Sequence, residues 1–232
     1  VQITTLRPED LEGARVVVAG YTGRDQAQVR AHIDELAEQG IAPPPSVPMF
    51  YPVPADLLTQ EDEIDGGSAT TSGEVEPVLV VQGEEVWLTI GSDHTDREIE
   101  KSSVADSKAA CPKPVARTAL RTTLDELGSA WDDIEVTCAV DGVEYQSGTL
   151  AALLPLPHTL ELLRRDEELA AAESLVVLGG TLPLIGGQFV FGTRWEMTLH
   201  HDGDRIDLGY TVRTPVTTTT AAPTDHPTKE SA

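Results

Sequence analysis

Apolar positions along this 232-residue chain follow two rhythms. Val29, Ile33 and Leu36 recur at spacings of four and three, which predicts a helix over residues 24–39, ended by Gly40. Between Gly73 and Ile90 the pattern turns strand-like: Glu74-Val75-Glu76, then Val78-Leu79-Val80-Val81, a turn at 82–85, and Val86-Trp87-Leu88-Thr89-Ile90. The first twenty residues hold one apolar strand, Arg15 to Gly20, and Pro43, Pro44, Pro45, Pro48, Pro52 and Pro54 make an extended connection. Residues 56–64 read as a short strand or loop, 106–114 as irregular, and 115–128 as a helix with Ala116, Ala119, Leu120, Leu124 and Leu127 on one face. Asp141-Gly142 marks a hairpin between strands at 131–140 and 143–146. Helical spacing returns at 150–154 and 160–169, then a buried strand at 174–178 and two or three strands across 187–212.

These elements predict an α+β, β-rich protein. Its parts are an N-terminal strand, helix and proline-rich connection (1–65), a main β-rich domain (66–216) and a Thr-, Ala- and Pro-rich disordered tail (217–232).

Composition narrows the partners. Hydrophobic residues at 40% suffice for one sizeable core, and no apolar run approaches the roughly 20 residues of a membrane span. A net charge of −23 argues against nucleic acid and anionic membrane, both of which need a basic footprint. Two cysteines, Cys111 and Cys138, make no disulfide framework, and with no visible signal peptide the expectation is a cytoplasmic protein. Abundant acid with only 4 Lys beside 12 Arg suits a halophilic protein, though a high-GC genome favours the same balance.

The candidate chemistry lies on the central strands. Residues two apart in a strand share a face, so Glu74 and Glu76 point one way. A hairpin return brings Asp93 back towards them. Converging carboxylates repel unless a cation compensates, and hard oxygen donors suit Mg²⁺, Mn²⁺ or Ca²⁺. The plainer reading is a solvated strand face in a protein with 39 acidic residues. His32 and Glu35, three apart on the predicted helix, are neighbours that suit a histidine base and its orienting carboxylate, or a surface pair.

Six segments in this order resemble the fumarylacetoacetate hydrolase superfamily. They are Tyr21 with His32-Ile33-Asp34-Glu35 and the proline-rich exit; Glu74-Val75-Glu76; Ser92-Asp93-His94-Thr95-Asp96-Arg97; Lys108-Ala109-Ala110-Cys111-Pro112; Val140-Asp141-Gly142 through Gln146; and Gly179-Gly180-Thr181-Leu182-Pro183. The chain looks most like a divergent branch of unknown function (DUF2848-like). The resemblance implies a mixed β-sandwich or β-roll with a short helical lid, and Mg²⁺ or Mn²⁺ held by Glu74, Glu76 and Asp93. It further implies a His32–Glu35 lid dyad, Lys108 at a developing oxyanion (with Lys113 and Lys101 close enough to substitute), and Arg97, Gln146 and Thr181 lining the substrate pocket. Arg97 would either clasp a substrate carboxylate or pair with a metal ligand. A homodimer is expected because relatives commonly form one. Ser92 stands where that family has Asn, Glu100 where some hydrolases have Gln, and the lysine segment is three residues short.

The implied activity is metal-dependent hydrolysis or lysis of a C–C bond in an acyl-pyruvate or related 2-oxo acid through a metal-bound enolate. A 2-keto-3-deoxy sugar-acid dehydratase or hydratase is the alternative enzyme, and a metal-dependent small-ligand binding protein the alternative outside enzymes.

Overall fold

The computed structural model describes residues 2–38 and 43–213. The tail at 217–232, the predicted helix stop at Gly40 and the side chains of His32, Glu35 and Leu36 lie outside the described residues. Apolar strands build two main sheets. One has seven strands in the spatial order Gln2–Thr5, Thr118–Thr122, Glu85–Ser92, Val75–Gln82, Ser174–Leu178, Arg15–Gly20 and Met49–Val53. The other has five: Val143–Thr149, Glu135–Val140, Arg194–His201, Asp204–Arg213 and Glu63–Asp65. Both are mixed, because Ser174–Leu178 runs parallel to Arg15–Gly20 and Glu63–Asp65 parallel to Asp204–Arg213. Strands from either side of residue 65 are therefore interleaved in both sheets.

The main core lies between the sheets. Leu79, Leu88, Ile90 and Val177 from one meet Val136, Cys138, Trp195, Met197 and Ile206 from the other. The opposite face of the larger sheet is buried too, with Val16, Val18, Val78, Val80 and Val176 under Leu6, Leu11 and Tyr51. Burial on both faces explains why the central strands read as continuous apolar runs. Each such side chain contributes about 1.5–3 kcal/mol of hydrophobic stabilisation. The fold is α+β and β-rich. No helix among the described residues is long and apolar enough to cross a membrane.

Several local expectations are corrected. The first twenty residues hold two strands, Gln2–Thr5 and Arg15–Gly20, with a short helix Pro8–Leu11 between them. The helix expected over 115–128 is a strand, Thr118–Thr122, followed by a helix, Leu124–Ala130. Thr123 and Glu126 form a capping box that starts the helix there, while Ala119 and Leu120 are buried on opposite faces of the larger sheet. The helix Val104–Ala109 runs into the stretch expected to be irregular at 106–114, and it is opened by Ser103, whose hydroxyl accepts from the Asp106 N–H at 3.2 Å. Trp131–Asp133, expected as strand, is a 3₁₀ turn, and the helical segment near 160 is Leu156–Leu163.

Candidate functional site

The Val75–Gln82 and Glu85–Ser92 strands pair antiparallel with Glu76 opposite Gly91 and Val75 opposite Ser92. Just past this ladder the Asp93 N–H donates to the Glu74 carbonyl at 3.0 Å. The hairpin thus carries Glu74, Glu76 and Asp93 to one corner, where Glu76 is 2% and Asp93 0% exposed.

Two lysines grip Asp93 from separate elements. The Val104–Ala109 helix delivers Lys108, whose Nζ donates to Asp93 Oδ2. The Lys113–Pro114 strand, pinned parallel to Leu58–Thr59, delivers Lys113. Its Nζ donates to the His94 carbonyl at 2.6 Å and stands 3.1 Å from Asp93 Oδ1. That second approach is an ion pair by distance without hydrogen-bond alignment, so Oδ1 has no hydrogen-bond partner among the described residues. Burial alone would raise the Asp93 carboxyl, but Lys108 and Lys113 outweigh it and hold it below the usual range. Burial likewise opposes the charge on Lys108, and Asp93, Glu76 and Glu74 together override it and push its pKa up. Lys113 is sealed, whereas the Lys108 side chain keeps 9% exposure and lies 5.8 Å from the Tyr51 ring centroid.

Glu76 sits otherwise. Its Oε2 accepts the Gly180 N–H at 2.9 Å, yet burial, and then Asp93, push its pKa well above the usual carboxylate range. His94 is pushed down to about 3 by burial, with Lys113 and Arg97 adding. Its Nδ1 meets the Tyr210 hydroxyl at 3.1 Å, and that hydroxyl meets Ser92 Oγ at 2.7 Å, so His94 and Ser92 belong to a buried aromatic cluster with Trp195.

Arg97 opens the short helix Arg97–Glu100, whose N-terminus is capped by Asp96 through the Glu98 and Ile99 N–H groups. Its Nε donates to Ser72 Oγ at 2.6 Å and Nη1 to Glu100 Oε2 at 2.9 Å, Nη2 lies 3.1 Å from Glu74 Oε2, and the Phe189 ring covers its face at 3.9 Å. The spacing of three between Arg97 and Glu100 is the sequence signal for their pairing. Ser72 and Phe189 carry no such signal, because chain reversals bring them in.

Gln146 and Thr181 also reach this corner, but their polar atoms brace the hairpin. Gln146 Oε1 accepts the Val75 N–H at 2.9 Å while Nε2 donates to Thr181 Oγ1 at 2.6 Å and the Leu182 carbonyl at 2.7 Å. The Thr181 hydroxyl donates to the Val75 carbonyl at 2.9 Å. Gln146→Leu, close in volume, strands the buried Val75 N–H and is expected to cost about 2 kcal/mol. A urea unfolding curve measures it, and an unchanged midpoint would deny the bracing role.

Among the described residues no three His, Cys, Asp or Glu side chains are already gathered as a ligand set for a metal. The carboxylate oxygens are turned towards Lys108, Arg97 and the Gly180 N–H. The donors nonetheless fit a hard divalent cation. They are three carboxylates at one corner, with a buried Asp93 oxygen lacking a hydrogen bond and a Glu76 whose negative form burial and Asp93 disfavour. His32 and Glu35 stand on the Gln26–Glu38 helix. That helix is rooted beside the corner: the Arg24 N–H donates to the Ala152 carbonyl at 2.8 Å, and Thr22 packs against Gly180. A cleft of about 410 Å³ bounded by Arg15, Pro52, Pro54, Asp166 and Leu169 lies elsewhere on the molecule.

Residues 19–210 match the model of a family described as protein of unknown function (DUF2848). A putative HpcE protein from Mycobacterium smegmatis has the same fold at 17% identity and TM-score 0.64, over 90% of this chain and 78% of that one. Fumarylpyruvate hydrolase from Pseudomonas aeruginosa, solved with Mn²⁺ and pyruvate, is 19% identical at TM-score 0.60, over 87% of this chain and 90% of that one. A 2-keto-3-deoxyarabinonate dehydratase is 14% identical at TM-score 0.61, over 87% and 74%. No curated protein matches the chain.

Proposed function

Since the chain belongs to the DUF2848 family of proteins of unknown function and folds as fumarylacetoacetate hydrolase family proteins do, we propose that it is a divalent-metal-dependent enzyme acting on a 2-oxo acid. The reaction proposed is hydrolysis of the C–C bond of an acyl-pyruvate. The observation that carries this reading is the buried corner at which one hairpin assembles Glu74, Glu76 and Asp93. These three would hold Mg²⁺ or Mn²⁺. Such a cation supplies Lewis acidity to the carboxylate and keto oxygens of a 2-oxo acid.

The chain's own groups divide the remaining work. Lys108, the less sealed of the two lysines, donates to oxygen as negative charge develops there. Lys113 holds Asp93 in place. Arg97, occupied by Glu74 and Glu100, orients Glu74. His32, oriented by Glu35, takes a proton from water, whose hydroxide adds to the acyl carbonyl carbon. The bond from that carbon to the pyruvyl methylene breaks, its electron pair passes into the 2-oxo group, and the methylene carbon then takes the proton. The products are a carboxylic acid and pyruvate. A homodimer is part of this proposal.

The test is turnover of acyl-pyruvates with Mg²⁺ or Mn²⁺, and again after treatment with EDTA. Loss of turnover with EDTA and its return with metal is the expected result, and activity that survives chelation removes the metal. His32→Ala is expected to lose about 10²–10⁴ in kcat, the range of a general base, while calorimetry with Mn²⁺ and oxalate finds binding unchanged. Full turnover in that variant assigns the base elsewhere. Turnover of keto-deoxy sugar acids alone favours dehydration, and metal-dependent binding of all substrates with none turned over favours a binding protein.

A further inference from the structure

The segment between Thr181 and Arg194 contains no charged residue, in a chain of which 24% is charged. Four of its side chains are large, apolar and open to solvent: Ile185 at 51%, Phe189 at 42%, Val190 at 43% and Phe191 at 54%. Only four other large hydrophobics among the described residues are comparably exposed, Ile3, Val47, Ile99 and Val143, and they come from four separate segments. Scattered exposed hydrophobics need no explanation, but a cluster does. The loop is also continuous with the carboxylate corner. Phe189 lies on the Arg97 guanidinium, Arg97 lies against Glu74, and the Ile185 N–H donates to the Tyr145 carbonyl at 2.9 Å.

The cations beneath the loop are already partnered. Glu74, Glu76, Asp93 and Glu100 face Lys108, Lys113 and Arg97, four carboxylates against three cations. Among the described residues of the corner, Arg97 is held by Glu74 and Glu100 and both lysines by Asp93, so a second carboxylate on the substrate finds no unpaired cation there, and it also meets the field of a protein with net charge −23.

We infer that the substrate is a monoanionic 2-oxo acid whose distal group is uncharged and apolar, and that the 185–191 loop, through Phe189 and Phe191, is the surface that receives this group. The inference rests on the metal-dependent reading above and specifies its substrate class.

Calorimetric binding with Mn²⁺ tests it without turnover. The probes are pyruvate, 2-oxobutanoate, 2-oxopentanoate and 2-oxohexanoate, with 2-oxoadipate as the dicarboxylate matched in length to the last. Affinity is expected to rise about threefold to fourfold for each methylene the loop covers, and 2-oxoadipate to bind at least tenfold more weakly than 2-oxohexanoate, on the order of one unmatched charge. Phe189→Ser with Phe191→Ser, both at exposed positions, should flatten the chain-length dependence, read within each protein as the ratio of 2-oxohexanoate to pyruvate affinity. A dicarboxylate preference, or the same chain-length slope in the double variant, overturns the inference while leaving the metal-dependent reading intact. If the double variant alters only the sedimentation coefficient, the loop is a contact between copies and the inference fails. Absence of Mn²⁺-dependent binding for every probe removes the underlying reading itself.

Discussion

Replacing Asp93 by Asn should destabilise the protein by about 3–5 kcal/mol, the cost of breaking a buried ion pair from one side. Among the described residues Asp93 is the sole counter-ion contact of Lys113 and the nearest of Lys108, and both lysines are sealed or nearly so. Without the carboxylate, two ammonium groups face each other and Arg97 in a largely buried corner. They must separate or give up protons. A second substitution separates this account from simple loss of packing. Lys113→Met added to Asp93→Asn removes one stranded cation and should recover a substantial part of the loss, as coupled neighbours do. Glu74→Gln offers the contrast. Its side chain is 13% exposed and Arg97 keeps Glu100, so it should weaken Mn²⁺ binding at a much smaller cost in stability. Thermal unfolding of the parent and the three variants decides the matter, and an Asp93→Asn protein as stable as the parent would mean that the lysines find other partners.

How much of this corner is legible in the sequence depends on what holds each part. The hairpin is legible because Val78 to Val81 and Val86 to Ile90 are buried on both faces around a short turn with Gly83 at φ 59°, and that register alone places Asp93 beside Glu74. The segment carrying Lys108 is harder to read. Ser103 to Ala109 has little apolar periodicity, and its helix depends on one serine cap and on packing against its surroundings. The strand at Thr118–Thr122 is misread as helix because Ala116, Ala119, Leu120, Leu124 and Leu127 fit a helical stripe, whereas pairing with Gln2–Thr5 and Glu85–Ser92 makes it a strand. Gln146 and Thr181 are recognisable as polar residues near the site. Only the fold reveals that their hydrogen bonds are spent on the Val75 backbone. Spacing along the chain carries a signal for charges that meet along one element, such as Arg97 and Glu100. It misses those joined across elements, such as the grip of Lys113 on Asp93 or the cover of Phe189 over Arg97.

Gly180 is the position where a single methyl group should do most harm. Its φ of 92° is one that L side chains rarely adopt, and a Cβ there would overlap the Thr22 hydroxyl and stand 3.3 Å from the Ala19 carbonyl oxygen. The same residue donates its N–H to Glu76 Oε2 at 2.9 Å, a hydrogen bond to a carboxylate that burial already disfavours. Gly180→Ala must therefore push the 179–181 segment away from the strand that ends at Gly20, and Glu76 loses its donor as it does so. Strain and lost hydrogen bonding together are expected to cost about 3 kcal/mol or more, with Mn²⁺ binding weakened because Glu76 shifts. Thr22→Ala separates the two causes. Combined with Gly180→Ala it removes the overlap but keeps the backbone strain, so it should restore part of the stability and leave a deficit of about 1–2 kcal/mol. Full recovery would reduce the effect of Gly180 to steric fit. No recovery would show that the left-handed backbone conformation alone makes glycine necessary beside Glu76.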